Sequence, residues 1–171
     1  MRNPISRQNR SIKRRMFLLV ACFFWLVACR DGVVYHRYQE IGKTFWGKDE
    51  VYYFTFRIED TATPYDVMFE IRNDNLYPYQ NLWVFCHETS SSAPLLQNTD
   101  TLECILADEF GKWHGKGIVL HQLSFPIRTG YRFPVQGEYT FAFRQAMRND
   151  SLRGIQEIGL SVKRSTRFRG V

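Results

Sequence analysis

Residues 51–60 read VYYFTFRIED, and from Phe54 to Glu59 the stretch alternates strictly between apolar and polar residues. Tyr52, Phe54, Phe56 and Ile58 fall on one side, Thr55, Arg57 and Glu59 on the other. Successive side chains of an extended chain point to opposite faces, so this is a strand with one face in a core and one in water. The same period returns in DVMFEIRN at 66–73, with Val67, Phe69 and Ile71 inward. It returns again in GEYTFAFRQ at 137–145, through Tyr139, Phe141 and Phe143, and in IQEIGLSVKR at 155–164, through Ile158, Leu160 and Val162. LWVFC at 82–86 is continuously apolar, which predicts a central strand covered on both faces. DTLECIL at 100–106 and IVLHQL at 118–123 complete the set.

Between these runs lie turn-forming segments. TATPY, NDNLYPYQN and TSSSA are rich in Pro, Asn, Asp, Ser and Thr, and ADEFGKWHGKG carries three glycines. SFPIRTGYRFPVQ at 124–136 reads as a long irregular link because of its two prolines, and AMRNDSLRG at 146–154 as one helical turn. Short strands at regular spacing with almost no helix predict an all-β fold, an antiparallel β-sandwich of seven or eight strands. Gly137-Glu138-Tyr139 at a strand start resembles the tyrosine corner of immunoglobulin-like domains. Phe141 stands where antibody domains carry a cysteine, and Trp83 is the candidate core tryptophan. The expected sandwich is therefore immunoglobulin-like, with a barrel as the alternative.

The N-terminus is a different object. Arg2, Arg7, Arg10, Lys13, Arg14 and Arg15 precede an uncharged, mostly apolar run from Met16 to Ala28, with no acid among them. A basic start, a short apolar stretch and a small-residue cleavage point make a secretory signal over residues 1–28. The run falls short of the roughly 20 residues that cross a bilayer. Leu-Val-Ala-Cys occurs twice, ending at Cys22 and Cys29. Cleavage before Cys22 leaves too short an apolar stretch, so the lipoprotein site is expected at Cys29, whose thiol would carry the lipid. An uncleaved anchor, a buried core helix and a secretory signal with Cys29 free are the alternatives.

That signal accounts for the formal net charge of +6. Residues 29–171 hold equal numbers of basic and acidic groups, so nucleic-acid binding is not expected. Residues 29–50 read as the lipidated start and a tether, 51–163 as the sandwich domain. Residues 164–171, with Arg164, Arg167 and Arg169, read as a basic disordered tail. Cys86 and Cys104 flank the Ser-rich loop. They are either a disulfide across a hairpin or two small core residues.

The quoted strands and loops resemble the GldH-type gliding-motility lipoproteins of Bacteroidetes, from about Tyr38 to Val162. The carrying stretches are YQEI, TATPYDVMFEIRNDNLYPYQNL, DTLECILADEFGKWHGKG, RFPVQGEYTFAFRQAMRNDSLRGI and IGLSV. The resemblance implies a lipid-anchored accessory protein of the cell envelope, expected at the outer membrane. Its implied partners are other proteins of the gliding and type IX secretion machinery. It implies no enzymatic activity.

The residues agree with that last point. No G-x-S-x-G, H-E-x-x-H, C-x-x-C or G-x-x-x-x-G-K-[ST] occurs. His36, His87, His114 and His121 are scattered, and His114 with Asp108 and Glu109 would make a poor metal site. Asn73-Asp74-Asn75 is mainly turn chemistry. No catalytic residue, metal, cofactor or small-molecule substrate is therefore expected. The remaining candidates are loop aromatics. Tyr77, Tyr79, Trp113 and His114, with Lys112 and Lys116 beside the tryptophan, form a candidate partner-binding set, FGKWHGKG being its main loop. The same rings would serve equally to plug the ends of a sandwich. A surface glycan-binding lipoprotein is the competing function.

Overall fold

The computed structural model describes residues 32–42 and 45–166. Cys22, Cys29 and residues 167–171 lie outside the described residues. Among the described residues there are ten strands and no helix: β1 Val33–Glu40, β2 Phe45–Gly47, β3 Val51–Ile58, β4 Tyr65–Asp74, β5 Asn81–Ser90, β6 Gln97–Ile105, β7 Leu120–Tyr131, β8 Gly137–Gln145, β9 Ser151–Arg153 and β10 Ile155–Arg164. They make two four-stranded antiparallel sheets, ordered β1-β10-β4-β7 and β3-β8-β5-β6, and a two-stranded ribbon of β2 and β9. β1 lies beside β3 at one flank, and Arg128 of β7 reaches Asp100 of β6 at the other. The sheets therefore face each other, as the alternation predicts.

The core is the set of inward rows. Phe54, Phe56 and Ile58 lie opposite Phe141, Tyr139 and Gly137 across β3 and β8. Phe56 stacks on Phe141 with centroids 5.9 Å apart, and Phe54 meets Phe143 edge-on at 5.7 Å. From the other sheet come Val67, Phe69 and Ile71 of β4 and Ile158, Leu160 and Val162 of β10, all buried. Aromatic pairs across strands bury large areas at low entropic cost, which suits a chain so rich in Phe and Tyr.

Four expectations need correction. First, residues 33–47 are not tether. β1 pairs with β10 from Val33↔Lys163 to Glu40↔Glu157, and β2 pairs with β9 through Trp46↔Leu152. β1 hides from a pattern search because its outer face is polar and its register is broken by a bulge between Val33 and Tyr35. β9 stands where one helical turn was expected. Second, β7 runs through SFPIRTGY, where a link was expected. Pro126 lies opposite Met68 beside a register shift in an edge strand, the setting in which a sheet tolerates proline. Third, the end of the domain lies further on than expected. Arg164 closes β10, and buried Ser165 donates its N–H to Pro64 O.

Fourth, LWVFC is central in its sheet but covered on one face only. Leu82, Val84 and Cys86 are buried, while Trp83 and Phe85 are exposed. The immunoglobulin-like expectation rested on Trp83 and Tyr139, and the two residues behave differently. Tyr139 O–H donates to Val135 O at 2.8 Å beside the start of β8, as a tyrosine corner should. Among the described residues the buried tryptophan is instead Trp46, whose ring N–H donates to Glu50 O.

The disulfide is absent. Cys86 lies opposite Asp100 and Cys104 opposite Leu82. That register places the cysteines four positions apart along the ladder, about 13 Å, against a bridging limit near 7 Å. Both are free and buried, and burial pushes both thiols up to about 12.

Candidate docking site

Two loops meet at one end of the sandwich, residues 75–80 between β4 and β5 and residues 106–119 between β6 and β7. The longer loop is organised by Asp108. Its carboxylate accepts the N–H groups of Phe110 and Lys112, each at 2.9 Å, and its carbonyl accepts from Gly111. An isolated bridge joins Ala107 to Trp113, and a second joins Lys116 to Gln122. Gly117 has φ +127°, and a Cβ there would meet Leu120 O at 1.9 Å, so the return into β7 needs glycine.

The loops are joined by a ring stack. Trp113 lies over His121 with centroids 5.5 Å apart and planes 25° from parallel. His121 is buried, and its Nε2 pairs with Asn75 Oδ1 at 2.8 Å. Asp74 Oδ1 accepts the Leu76 N–H, closing the Asx turn that Asn73-Asp74-Asn75 implied. Tyr77 is buried, donates its O–H to Asn81 O and packs edge-on against half-buried Tyr79 at 5.7 Å. Tyr79 donates to Asn149 Oδ1.

The six candidates therefore divide. Lys112, His114 and Lys116 are exposed as expected. Tyr77 belongs to the core, and Trp113 and Tyr79 are half-buried supports. These aromatics hold the loops rather than present themselves. The exposed apolar groups are others: Leu76 at 62%, Phe110 at 87%, Ile118 at 89% and Val119 at 71%, with Leu120 at 39%. Phe110 precedes Gly111, and Ile118 follows Gly117, so each apolar tip is flanked by a residue that turns the chain away from the core. That flanking is the signal the residue pattern offers, although IVL by itself reads as a strand start.

Two charged clusters lie elsewhere. On the outer face of the β1 sheet, His36 Nε2 pairs with buried Glu70 at 2.9 Å. Ser161 stands across the ladder from His36, but the histidine is committed to the carboxylate rather than to the hydroxyl. A nucleophile needs its base in hydrogen-bond reach, so this is not a triad arrangement. At the β6–β7 flank, Arg128 joins Asp100 at 2.7 Å and buried Glu88 at 3.5 Å. Burial, opposed by Arg128, leaves the Glu88 carboxyl above its usual range.

A model of the GldH lipoprotein family matches residues 33–162. The chain belongs to the GldH lipoprotein family. The matched span opens on the first residue of β1 and closes within β10, so the GldH unit includes the strand that seemed to be tether. The chain is 27% identical to the gliding motility lipoprotein GldH of Flavobacterium johnsoniae, over 89% of this chain and 97% of that one. It is 26% identical to the gliding motility lipoprotein GldH homolog of Christiangramia forsetii, over 88% and 95%. Among solved structures, dimeric latent PorU from Porphyromonas gingivalis aligns at 9% identity with a TM-score of 0.32, covering 84% of this chain and 14% of that one. So low a score carries no argument.

Proposed function

We propose that this protein is a non-enzymatic, lipid-anchored component of gliding motility in the cell envelope, and that it acts by docking a partner protein on the loops at 75–80 and 106–119. The relatives described as gliding motility lipoproteins support the process. The Leu-Val-Ala-Cys stretch ending at Cys29 supports the anchor. One observation carries the mechanism: Leu76, Phe110, Ile118 and Val119 are largely solvent-exposed on loops held from below by Trp113, His121 and Asn75. Apolar groups held out on a rigid base bind with little ordering cost. The outer membrane and the type IX secretion apparatus are the setting this reading favours.

The test is a mild cross-link and affinity recovery from membranes, comparing wild type with Phe110→Ser, Ile118→Ser and Val119→Ser combined. Surface changes of this kind move stability by about 0.5 kcal/mol or less each. The variant is therefore expected to fold normally and to lose envelope partners that wild type recovers. Recovery of the same partners would overturn the docking site.

A second reading keeps one specific observation. Trp83, Phe85 and Tyr53 are exposed on the outer face of the β3-β8-β5-β6 sheet, with the Arg144 guanidinium 5.4 Å from the Phe85 ring centre. A flat aromatic face suits sugar stacking. Binding of soluble oligosaccharide, lost in Trp83→Ala, would favour glycan capture.

A further inference from the structure

The shortened tether decides how the domain stands on its membrane. Only Arg30, Asp31 and Gly32 separate Cys29 from Val33, where β1 begins. Four extended steps reach at most about 14 Å. β1 is fixed to β10 along its length, with Val33 opposite Lys163 and Glu40 opposite Glu157. Through β4 the register continues to Asp66 at one end and to Arg72 at the other. The start of β1 thus lies at the end holding Tyr65 and Tyr131, whereas Asp74 and Leu120, which border the docking loops, lie at the opposite end. Strands of eight to ten residues put about 30 Å between those ends. The chain from Cys29 is too short to bridge that distance.

We infer that the end of the sandwich holding the start of β1, the close of β10 and the β5–β6 turn rests on the phospholipid headgroup surface that holds the acyl chains, with the docking loops directed away. The inference rests on lipidation at Cys29 as proposed above. What this end presents suits a headgroup surface. Leu95, at the tip of the β5–β6 turn, is wholly exposed, and Val33 and Val34 are exposed at the start of β1. Lys163 and Arg164 are exposed at the close of β10. Of the nearby acids, Asp60 accepts the N–H groups of Ala62 and Thr63, and Asp66 accepts that of Gly130; Glu59 and Glu138 remain exposed. A short apolar insertion flanked by basic groups, beside covalent lipid, is the combination that holds peripheral proteins on phosphate-bearing surfaces. A partner of the docking loops would then be met away from the anchoring leaflet.

The experiment uses the mature lipidated protein in vesicles of phosphatidylethanolamine and phosphatidylglycerol. Leu95→Cys and Ile118→Cys, made separately, each receive a thiol-reactive fluorophore. Cys86 and Cys104 are buried with thiols raised to about 12, so they do not compete. Headgroup-linked quencher lipids are then added. The expected result is loss of emission at Leu95 and full emission at Ile118. Equal loss at both sites, or loss at Ile118 alone, would overturn the orientation. The mass of the N-terminal peptide is read in parallel. An unacylated Cys29 would overturn the anchor, and with it this inference, while leaving the docking-loop test standing on its own.

Discussion

Trp46→Ala tests whether the segment before β3 is part of the domain. Trp46 is wholly buried, meets Tyr52 edge-on with centroids 5.8 Å apart, and donates its ring N–H to Glu50 O at 3.2 Å. Its neighbour across the β2–β9 ribbon, Leu152, is buried as well. Truncating a buried aromatic of this size costs about 3–5 kcal/mol, from lost transfer energy and the cavity left behind. A domain holds only about 5–15 kcal/mol in total. Unfolding entropy near 2.1 cal/mol/K per residue, over the domain, makes about 0.3 kcal/mol/K, so the melting temperature should fall by roughly 10–17 °C. The assay is thermal unfolding of soluble Cys29→Ser protein, followed by circular dichroism at pH 7. Tyr53→Ala, an exposed ring on the adjacent strand, is the control and should stay within about 2 °C of wild type. If Trp46→Ala also stays within that margin, the segment is not docked. The β1–β10 ladder, which sets the distance from Cys29 to the fold, is a separate contact that this substitution does not probe.

Three further outcomes follow from the core. Glu88 has a folded pKa above its usual value of 4.5, so the folded state holds its proton more tightly than the unfolded chain. Stability should therefore rise as pH falls from neutral toward 4.5, and in Glu88→Gln, which has no proton to gain, this rise should shrink; an unchanged pH profile would refute the assignment. Soluble protein spanning residues 29–171 with Cys29→Ser, which lacks Cys22, should show no reactive thiol at pH 7 while native and two after denaturation; a mass two hydrogens lighter without reductant would instead mean a Cys86–Cys104 bridge. Tyr139→Phe removes the bond to Val135 O and should cost about 1 kcal/mol by denaturant titration, leaving the fold otherwise intact.

The end of the sandwich formed by residues 75–80 and 106–119 was half legible in the residues. FGKWHGKG reads as a loop, because three glycines and two lysines disfavour a strand, and it lies between β6 and β7. Which apolar side chains stay exposed was not legible, because hydrophobicity reports a tendency to be buried and not which ring finds a place. Trp113 found His121 and Tyr77 found the core, while Phe110, Ile118 and Val119 were held outside by the turns beside them.

The sequence by itself determined the all-β architecture, since alternation in β3, β4, β8 and β10 is a local property of the extended chain. It also determined the basic-then-apolar N-terminus and the Leu-Val-Ala-Cys stretch that ends at Cys29. Tertiary structure decided the partners of weakly patterned strands. Val33 meets Lys163 and Phe45 meets Arg153, pairings made by residues more than a hundred positions apart. It decided that Trp46 is inside and Trp83 outside, because only the second sheet defines which face is covered. And it decided that three residues, not twenty, separate Cys29 from the fold, because an edge strand without a clean period forms only when β10 offers it a ladder.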